Sequence, residues 1–261
     1  MAPRPLPRPA LRARLRATLA AALAAAVLLA GCGGGAADAD RLVAATDATY
    51  PPFESRDASG AIVGFDADLL RAVGREAGLA VELVDQRFEG ILPGLRQGKY
   101  DAVISCLTIT PERAKEVDFS DPYYDAGQVI AVAGKETGIR GLADLRGRTL
   151  AVQINTTGKD AADRVEGATV RAFDTIDLAF LELLAGRAAA VINDEPTTLL
   201  YAREHPGIRV VGAPFTQERY GIAVRRGNAD LLRRLNAGLA KVRASGEYDR
   251  LRARWIGAAG R

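Results

Sequence analysis

The sequence predicts an α/β protein of two similar-sized units, each a mostly parallel sheet flanked by helices. Three observations carry this. Short apolar runs alternate with segments of helical periodicity. The alternation stops near Tyr123-Tyr124 and then restarts. Past Ala30, no apolar run approaches the ~20 residues that a membrane-spanning helix needs. The composition of the 261 residues, 48% hydrophobic and 26% charged, is that of an ordinary globular chain.

The first unit begins with a strand over Arg41–Thr46. A helix over Phe65–Ala77 follows, marked by Leu69, Leu70 and Val73 on one face. A strand over Ala80–Val84, a short helix over Ile91–Gly98 and a buried strand over Asp101–Ser105 complete it. The second unit reads as a strand at Thr149–Gln153, a helix at Gly158–Glu166, a strand at Val170–Phe173 and a helix at Ile176–Ala185. It continues with a strand at Ala189–Asn193, a helix at Thr197–Glu204 and a strand at Arg209–Gly212. A strand at Tyr220–Arg225 and a long amphipathic helix at Ala229–Ala244 close the pattern, the helix carrying Leu231, Leu232, Leu235, Leu239 and Val242.

The N-terminus is of another kind. Arg4, Arg8, Arg12, Arg14 and Arg16 form a basic leader without an acid, and Leu19–Ala30 is a short apolar run. Together they form the n- and h-regions of a secretory signal. The run ends in Leu29-Ala30-Gly31-Cys32, which resembles a bacterial lipobox, so cleavage is expected before Cys32 and lipid on its sulfur. Residues 1–31 are then the signal peptide. Residues 32–40, rich in glycine and alanine, are a flexible tether.

Processing changes the charge. The formal net is +3, from 35 basic and 32 acidic residues; losing the five leader arginines leaves 30 against 32, a net of −2. The remaining cations are interspersed with acids, and no aromatic-basic module suggests nucleic acid. With Cys32 lipidated, Cys106 has no partner for an intramolecular disulfide. His205 is the single histidine, which excludes a histidine-dependent triad and a histidine-rich metal site. No cofactor or metal is expected.

Ligands of open parallel sheets bind beyond the carboxyl ends of the strands. The residues there are Asp47 and Tyr50, then Ser105, Cys106 and Thr108 with Arg113 a turn later, then Asn155, Thr156 and Thr157, and finally Asp194. One cation, two carboxylates, hydroxyls and an aromatic suit a zwitterion. A guanidinium and helix-start amides hold a carboxylate, while a carboxylate and hydroxyl acceptors hold an ammonium. Singly, each has a plainer reading: a strand-end Asp or Thr-Thr-Gly caps a helix, and an Arg after Thr-Pro-Glu lies on the surface.

The ordered motifs Ala45-Thr46-Asp47, Tyr50-Pro51-Pro52-Phe53, Gly64-Phe65-Asp66-Ala67-Asp68-Leu69 and Asp101-Ala102-Val103-Ile104-Ser105 resemble the amino-acid-binding family of periplasmic solute-binding proteins. So do Thr108-Ile109-Thr110-Pro111-Glu112-Arg113, Asp118-Phe119-Ser120-Asp121-Pro122-Tyr123-Tyr124, Ala151-Val152-Gln153, Thr156-Thr157-Gly158 and Asn193-Asp194-Glu195-Pro196. The resemblance runs from about Arg41 to Trp255. It implies the two-lobed type II binding-protein fold with two crossover strands, near 123–127 and 216–220. Lobe one would comprise 41–125 and 220–261, and lobe two 126–219.

The resemblance also implies roles. Arg113 would hold an α-carboxylate, helped by the amides of Thr108 and Thr157. Asp194 would hold the α-ammonium, with Ser105 and Thr108 nearby. Tyr50 and Phe88 would flank the side chain, or else be core aromatics, and Asp47 would meet its far end. Cys106 falls where relatives often carry Gly or Ser and would touch the pocket or stay a buried thiol. Asn155 stands where relatives commonly have glycine, and Asn tolerates the left-handed conformation. Asp66 is expected to cap its helix.

Asp47 and Glu89 suit a side chain that donates hydrogen bonds or is cationic, while Gln153 can donate or accept. The ligand expected is a free L-amino acid, such as arginine, lysine, ornithine, histidine or glutamine, passed to the permease subunits of an ABC importer. The protein would be a monomer facing the periplasm or cell exterior, held to the membrane through lipid on Cys32. Two alternatives share the fold: a periplasmic dehydratase with Glu89 or Glu195 as acid, and a ligand-sensing receptor subunit.

Cys32→Ala is expected to abolish incorporation of labelled palmitate in cells while leaving ligand binding intact. Undiminished labelling of the variant would remove the anchor from the picture.

Overall fold

A computed structural model describes residues 40–257, together with Met1. Met1 apart, the expected signal peptide of residues 1–31, Cys32 and all of the expected tether but Asp40 lie outside the described residues; Asp40 already belongs to the first strand. No helix of the described residues is long and apolar enough to cross a membrane.

The chain opens with β1 (Asp40–Thr46), a small antiparallel sheet of β2 (Thr49–Tyr50), β3 (Glu54–Arg56) and β4 (Ile62–Val63), and then α1 (Phe65–Ala77). β5 (Leu79–Asp85), α2 (Phe88–Arg96), β6 (Ala102–Val103) and β7 (Val117–Phe119) follow. The first crossing strand, β8 (Tyr124–Ala126), leads into β9 (Gln128–Ala133), β10 (Thr149–Gln153), α3 (Thr157–Asp163), β11 (Thr169–Phe173) and α4 (Ile176–Leu184). Next come β12 (Ala190–Asp194), α5 (Glu195–Glu204) and β13 (Ile208–Val211). The second crossing strand, β14 (Glu218–Tyr220), returns the chain to β15 (Ala223–Arg225), α6 (Ala229–Ala244) and α7 (Glu247–Trp255).

Two five-stranded sheets result. The first has the order β5-β1-β6-β15-β7, and the second β11-β10-β12-β9-β13. In each the strands joined by helices are parallel, as βαβ connections require. β15 enters the first sheet antiparallel, and so does β9 in the second, because each arrives from a crossing strand rather than a helix. The fold is therefore α/β with two lobes and two crossovers. β8 and β14 pair with each other, Tyr124 opposite Tyr220.

Sequence periodicity located α1, β10 and α6 to the residue. Six strands and a helix escaped it: β2, β3 and β4 are only two or three residues long. β7, β8 and β9 lie in a stretch with no clean alternation, and the charge-rich α7 has a weak apolar stripe and no fully buried residue. The expected strand at Tyr220–Arg225 is two strands, since Gly221 and Ile222 leave the crossing ladder before joining the first sheet. Asp101–Ser105 pairs only at Ala102–Val103. The residues after it turn away to form the cleft wall.

Aromatic rings tie both crossings to the first lobe. Phe53 meets Phe65, Tyr124 and Tyr220 edge to face at 5.9, 5.1 and 5.7 Å, and Tyr124 stacks on Tyr220 at 5.7 Å. Such pairs contribute about 0.5–1.5 kcal/mol each beyond their burial. α1 starts at Gly64, whose φ of 132° few side chains tolerate, and a Cβ there would lie 2.1 Å from the Phe53 carbonyl oxygen. Gly64→Ala should therefore cost about 3 kcal/mol. At roughly 2–4 °C per kcal/mol, that is a fall of about 6–12 °C in melting temperature. A melting temperature within about 1 °C of wild type would refute the close approach.

Candidate functional site

The carboxyl ends of β1, β6, β10 and β12 converge on one cleft between the sheets. A cavity there encloses about 330 Å³ of empty space, at the lower end of the ~300–1,000 Å³ typical of small-molecule sites. All eleven residues expected from the sequence line it: Asp47, Tyr50, Phe88, Ser105, Cys106, Thr108, Arg113, Gln153, Thr156, Thr157 and Asp194. Glu54 is a twelfth.

Arg113 comes from a 3-10 turn after β6. Its Nη1 donates to the Thr108 carbonyl at 2.9 Å and its Nη2 to the Asn155 carbonyl across the cleft at 3.0 Å. The guanidinium carbon lies 5.6 Å from the centre of the Phe88 ring. Among the described residues, Arg113 forms no ion pair. Burial lowers its pKa from the ordinary value, though not enough to discharge a guanidinium. Asn155 makes its turn at a φ of 60°, in the left-handed region.

Asp194 ends β12 and serves as the N-cap position of α5 without a side-chain capping bond. Its side chain instead faces the cleft. The Tyr50 hydroxyl lies 2.8 Å from Asp194 Oδ2 and 2.7 Å from Asn193 Oδ1, and Gln128 Nε2 donates to Oδ1. Burial, then the neighbouring Glu218 charge, raises the Asp194 carboxyl to about 6. Thr156, the N-cap of α3, accepts from the Lys159 amide at 3.2 Å, and it lines the cavity together with Thr157, the first residue of the helix.

At the other end of the cavity, Asp47 accepts from Thr49 Oγ1 at 2.8 Å, the Phe88 amide at 3.2 Å and Gln153 Nε2 at 3.0 Å. The last bond joins the two lobes. Burial raises the Asp47 carboxyl above its usual range. The Asp47 amide in turn donates to Ser105 Oγ at 3.0 Å. Arg87 reaches Asp174 at 2.6 Å near this end and adds a second, exposed tie between lobes.

Behind the wall lies a buried acid pair. Ser105 Oγ donates to Glu54 Oε1 at 3.0 Å, and the Cys106 amide and Tyr123 hydroxyl donate to Asp66 Oδ2 at 2.9 and 2.6 Å. Asp66 Oδ1 has no conventional donor. Burial, followed by the Asp66 charge, drives the Glu54 carboxyl well above its usual value, so it keeps its proton and hydrogen-bonds Asp66, itself raised by burial to about 7. Glu54, Asp66 and Cys106 are the one group of three among the described residues whose candidate metal-ligand atoms fall within 4.8 Å of one another. Burial also pushes the Cys106 thiol up, away from the thiolate a metal prefers. The pair is better described as a proton-sharing support for the Ser105–Cys106 turn, where Cys106 takes a φ of 46°.

Two expectations need correction. Asp66 does not cap α1: the N-cap is Gly64, without a side-chain bond, and Asp66 sits one residue inside the helix holding the Cys106 turn. Glu89 does not reach the cavity; it is exposed and lines a neighbouring groove with Leu92 and Glu116. Glu54, Gln128 and Glu218 were missed. The available signals were a polar residue heading the apolar run Gln128–Ala133 and an acid inside a crossing strand. Neither reveals its partners 66 to 110 residues away.

Two lobes, two crossing strands and a polar cavity between them define a solute-binding protein of the closing-cleft type. The chain belongs to the bacterial extracellular solute-binding proteins, family 3, whose model matches residues 42–258. It is 36% identical over 235 residues to the ABC transporter arginine-binding protein 1 of Escherichia coli K12, covering 88% of this chain and 96% of that protein. A solved ancestral arginine-binding protein bound to glutamine superposes with a TM-score of 0.78 at 43% identity, covering 83% of this chain and 98% of that one. The ancestral amino-acid-binding protein AncCDT-1, a precursor of cyclohexadienyl dehydratase, gives a TM-score of 0.78 at 41% identity, covering 83% and 95%.

The raised carboxyls make a stability prediction. Asp194, at about 6, and Asp66, at about 7, hold protons more tightly in the folded chain than at the ordinary value of 3.8. The native state then binds more protons than the unfolded one, so their contribution is complete below about pH 4 and is lost as pH rises through 6 to 7. Asp194→Asn should gain stability over wild type as pH climbs from about 4 to about 6.5 in ligand-free protein. A difference independent of pH, measured by urea unfolding, would contradict the raised value.

Proposed function

We propose that this chain captures a free basic amino acid, arginine foremost, outside the cytoplasm and delivers it to an ABC importer. The observation that carries the reading is the charge pattern of the cavity. Among the described residues, Arg113 has no carboxylate partner on its side of the cleft, Asp194 stands on the other, and Asp47 adds a second negative charge at the far end. A zwitterion satisfies the first two. A cationic side chain answers the third, with Tyr50 and Phe88 flanking its stem.

Arg113 holds the α-carboxylate in this reading, with the amides of Thr108 and Thr157. Asp194 holds the α-ammonium with Ser105 and Thr108, and Gln153 and Asp47 meet the side-chain nitrogens, with Cys106 and Thr156 completing the wall. The relatives named for arginine support this choice of ligand. Lobe one is assigned to 41–125 and 220–261 and lobe two to 126–219, the crossings acting as hinges. The leader of residues 1–31 would export the chain, and lipid on Cys32 would hold the monomer at the membrane through the 32–40 tether.

The reading is of a carrier, not a catalyst. The acids first considered for a dehydratase are poorly placed, since Glu89 is exposed and Glu195 is absent from the cavity wall. The Glu54 proton is engaged by Asp66. Prephenate and arogenate should be recovered unchanged after incubation.

Calorimetric titration with the proteinogenic amino acids and ornithine tests the reading. Arginine should bind tightest, and Asp47→Ala should weaken arginine far more than alanine or serine. Charge-assisted hydrogen bonds contribute roughly 1.5–3 kcal/mol. Arg113→Ala and Asp194→Ala should therefore each weaken arginine about ten- to several-hundredfold. Tightest binding of glutamate or a branched aliphatic amino acid would overturn the choice of ligand.

A further inference from the structure

Glu218 lies in the second crossing strand, outside the cavity wall, yet its carboxylate collects hydroxyls from both lobes. Thr108 Oγ1 and Thr157 Oγ1 both donate to Oε2 at 2.8 Å, and Thr216 Oγ1 donates to Oε1 at 3.0 Å. Thr108 belongs to the first lobe and Thr157 heads α3 in the second, and both face the cavity. Glu218 makes no ion pair with a described residue.

A threonine hydroxyl has one proton and two lone pairs. With the proton committed to a carboxylate, it can face the cavity only as an acceptor. Thr157 Oγ1 already accepts from Gln128 Nε2 at 3.2 Å, the same nitrogen that donates to Asp194. No described side chain or amide donates to Thr108 Oγ1, so its lone pairs remain open in the cavity that Asp194 also lines.

We propose that Glu218 is a positioning residue that fixes the Thr108 and Thr157 hydroxyls as acceptors, so that the cavity selects a primary α-ammonium over an α-hydroxyl or α-oxo group. This rests on the amino-acid reading given above. An ammonium brings three donors to Asp194, Thr108 and the wall; a hydroxyl brings one and an oxo group none. The unpaired acceptors left by either analogue are costly in a buried site. A glutamine at 218 has an amide that donates to the hydroxyls, turning their protons toward the ligand and removing the preference.

The test compares L-arginine with its 2-hydroxy analogue, argininic acid, on wild type and Glu218→Gln by calorimetry. Wild type should prefer arginine by about a thousandfold or more. Glu218→Gln should weaken arginine about ten- to a hundredfold, weaken argininic acid much less, and narrow the ratio at least about tenfold. Because the Glu218 charge helps hold the Asp194 carboxyl up to about 6, the acid limb of arginine binding should also move to lower pH. Thr108→Val, which keeps the carboxylate but removes one acceptor, should narrow the ratio in the same direction. If Glu218→Gln weakens both ligands equally with an unmoved acid limb, Glu218 is only a strut of the hinge and the proposal falls. Wild type that binds neither arginine nor any other amino acid would refute the underlying reading instead.

Discussion

The cleft is organised around a guanidinium that makes no ion pair with a described residue. Arg113 is largely withdrawn from solvent and is held by two carbonyl oxygens, one from each lobe. Carbonyls orient a cation but do not neutralise it. A ligand carboxylate does, and planar bidentate geometry favours that partner over water or chloride. On the facing wall, Asp194 has a buried carboxyl surrounded by uncharged donors. Each group alone resists desolvation, and a zwitterion answers both at once. In the proposed reading, closing around such a ligand would be a population shift driven by contacts that favour the closed state.

The remaining architecture holds these two charges in register. α3 and α5 start beside the cavity, so Thr156, Thr157 and Asp194 are placed by the strand ends of the second sheet. In the first lobe, the Ser105–Cys106 turn is braced from behind by the acid pair Glu54 and Asp66. The aromatic cluster around Phe53 joins that support to the crossing strands. The crossing strands, paired at Tyr124 and Tyr220, are thus anchored to the first lobe, while the Asp47–Gln153 and Tyr50–Asp194 hydrogen bonds join the two lobes.

Much of this was legible in the sequence for identifiable reasons. α1 and α6 are long and amphipathic, so their apolar stripes marked them directly. The strand ends carried polar residues whose chemistry could be read before their positions were known, and nine of them reach one cavity, joined there by Gln153 and by Phe88, which the family resemblance supplied. What stayed hidden acts through contacts distant in the chain. Asp66 looked like a cap because it heads a helix, but the Cys106 amide and Tyr123 hydroxyl claim it. Glu218 sits in a short crossing strand, where no periodicity speaks, and Gln128 heads a continuous apolar run in which one polar residue gives no sign of its partners. Glu54 sits in a strand of three residues, and its burial came from tertiary packing alone.

Small-angle scattering on the mature protein, with arginine and with agmatine, its decarboxylated form, tests whether both charges are needed for closure. Agmatine keeps a side-chain guanidinium and an amine but offers nothing to Arg113. If the cleft closes to satisfy Arg113 and Asp194 together, saturating arginine will reduce the radius of gyration and agmatine at any soluble concentration will leave it unchanged. An equal contraction with agmatine would show that Arg113 does not govern closure.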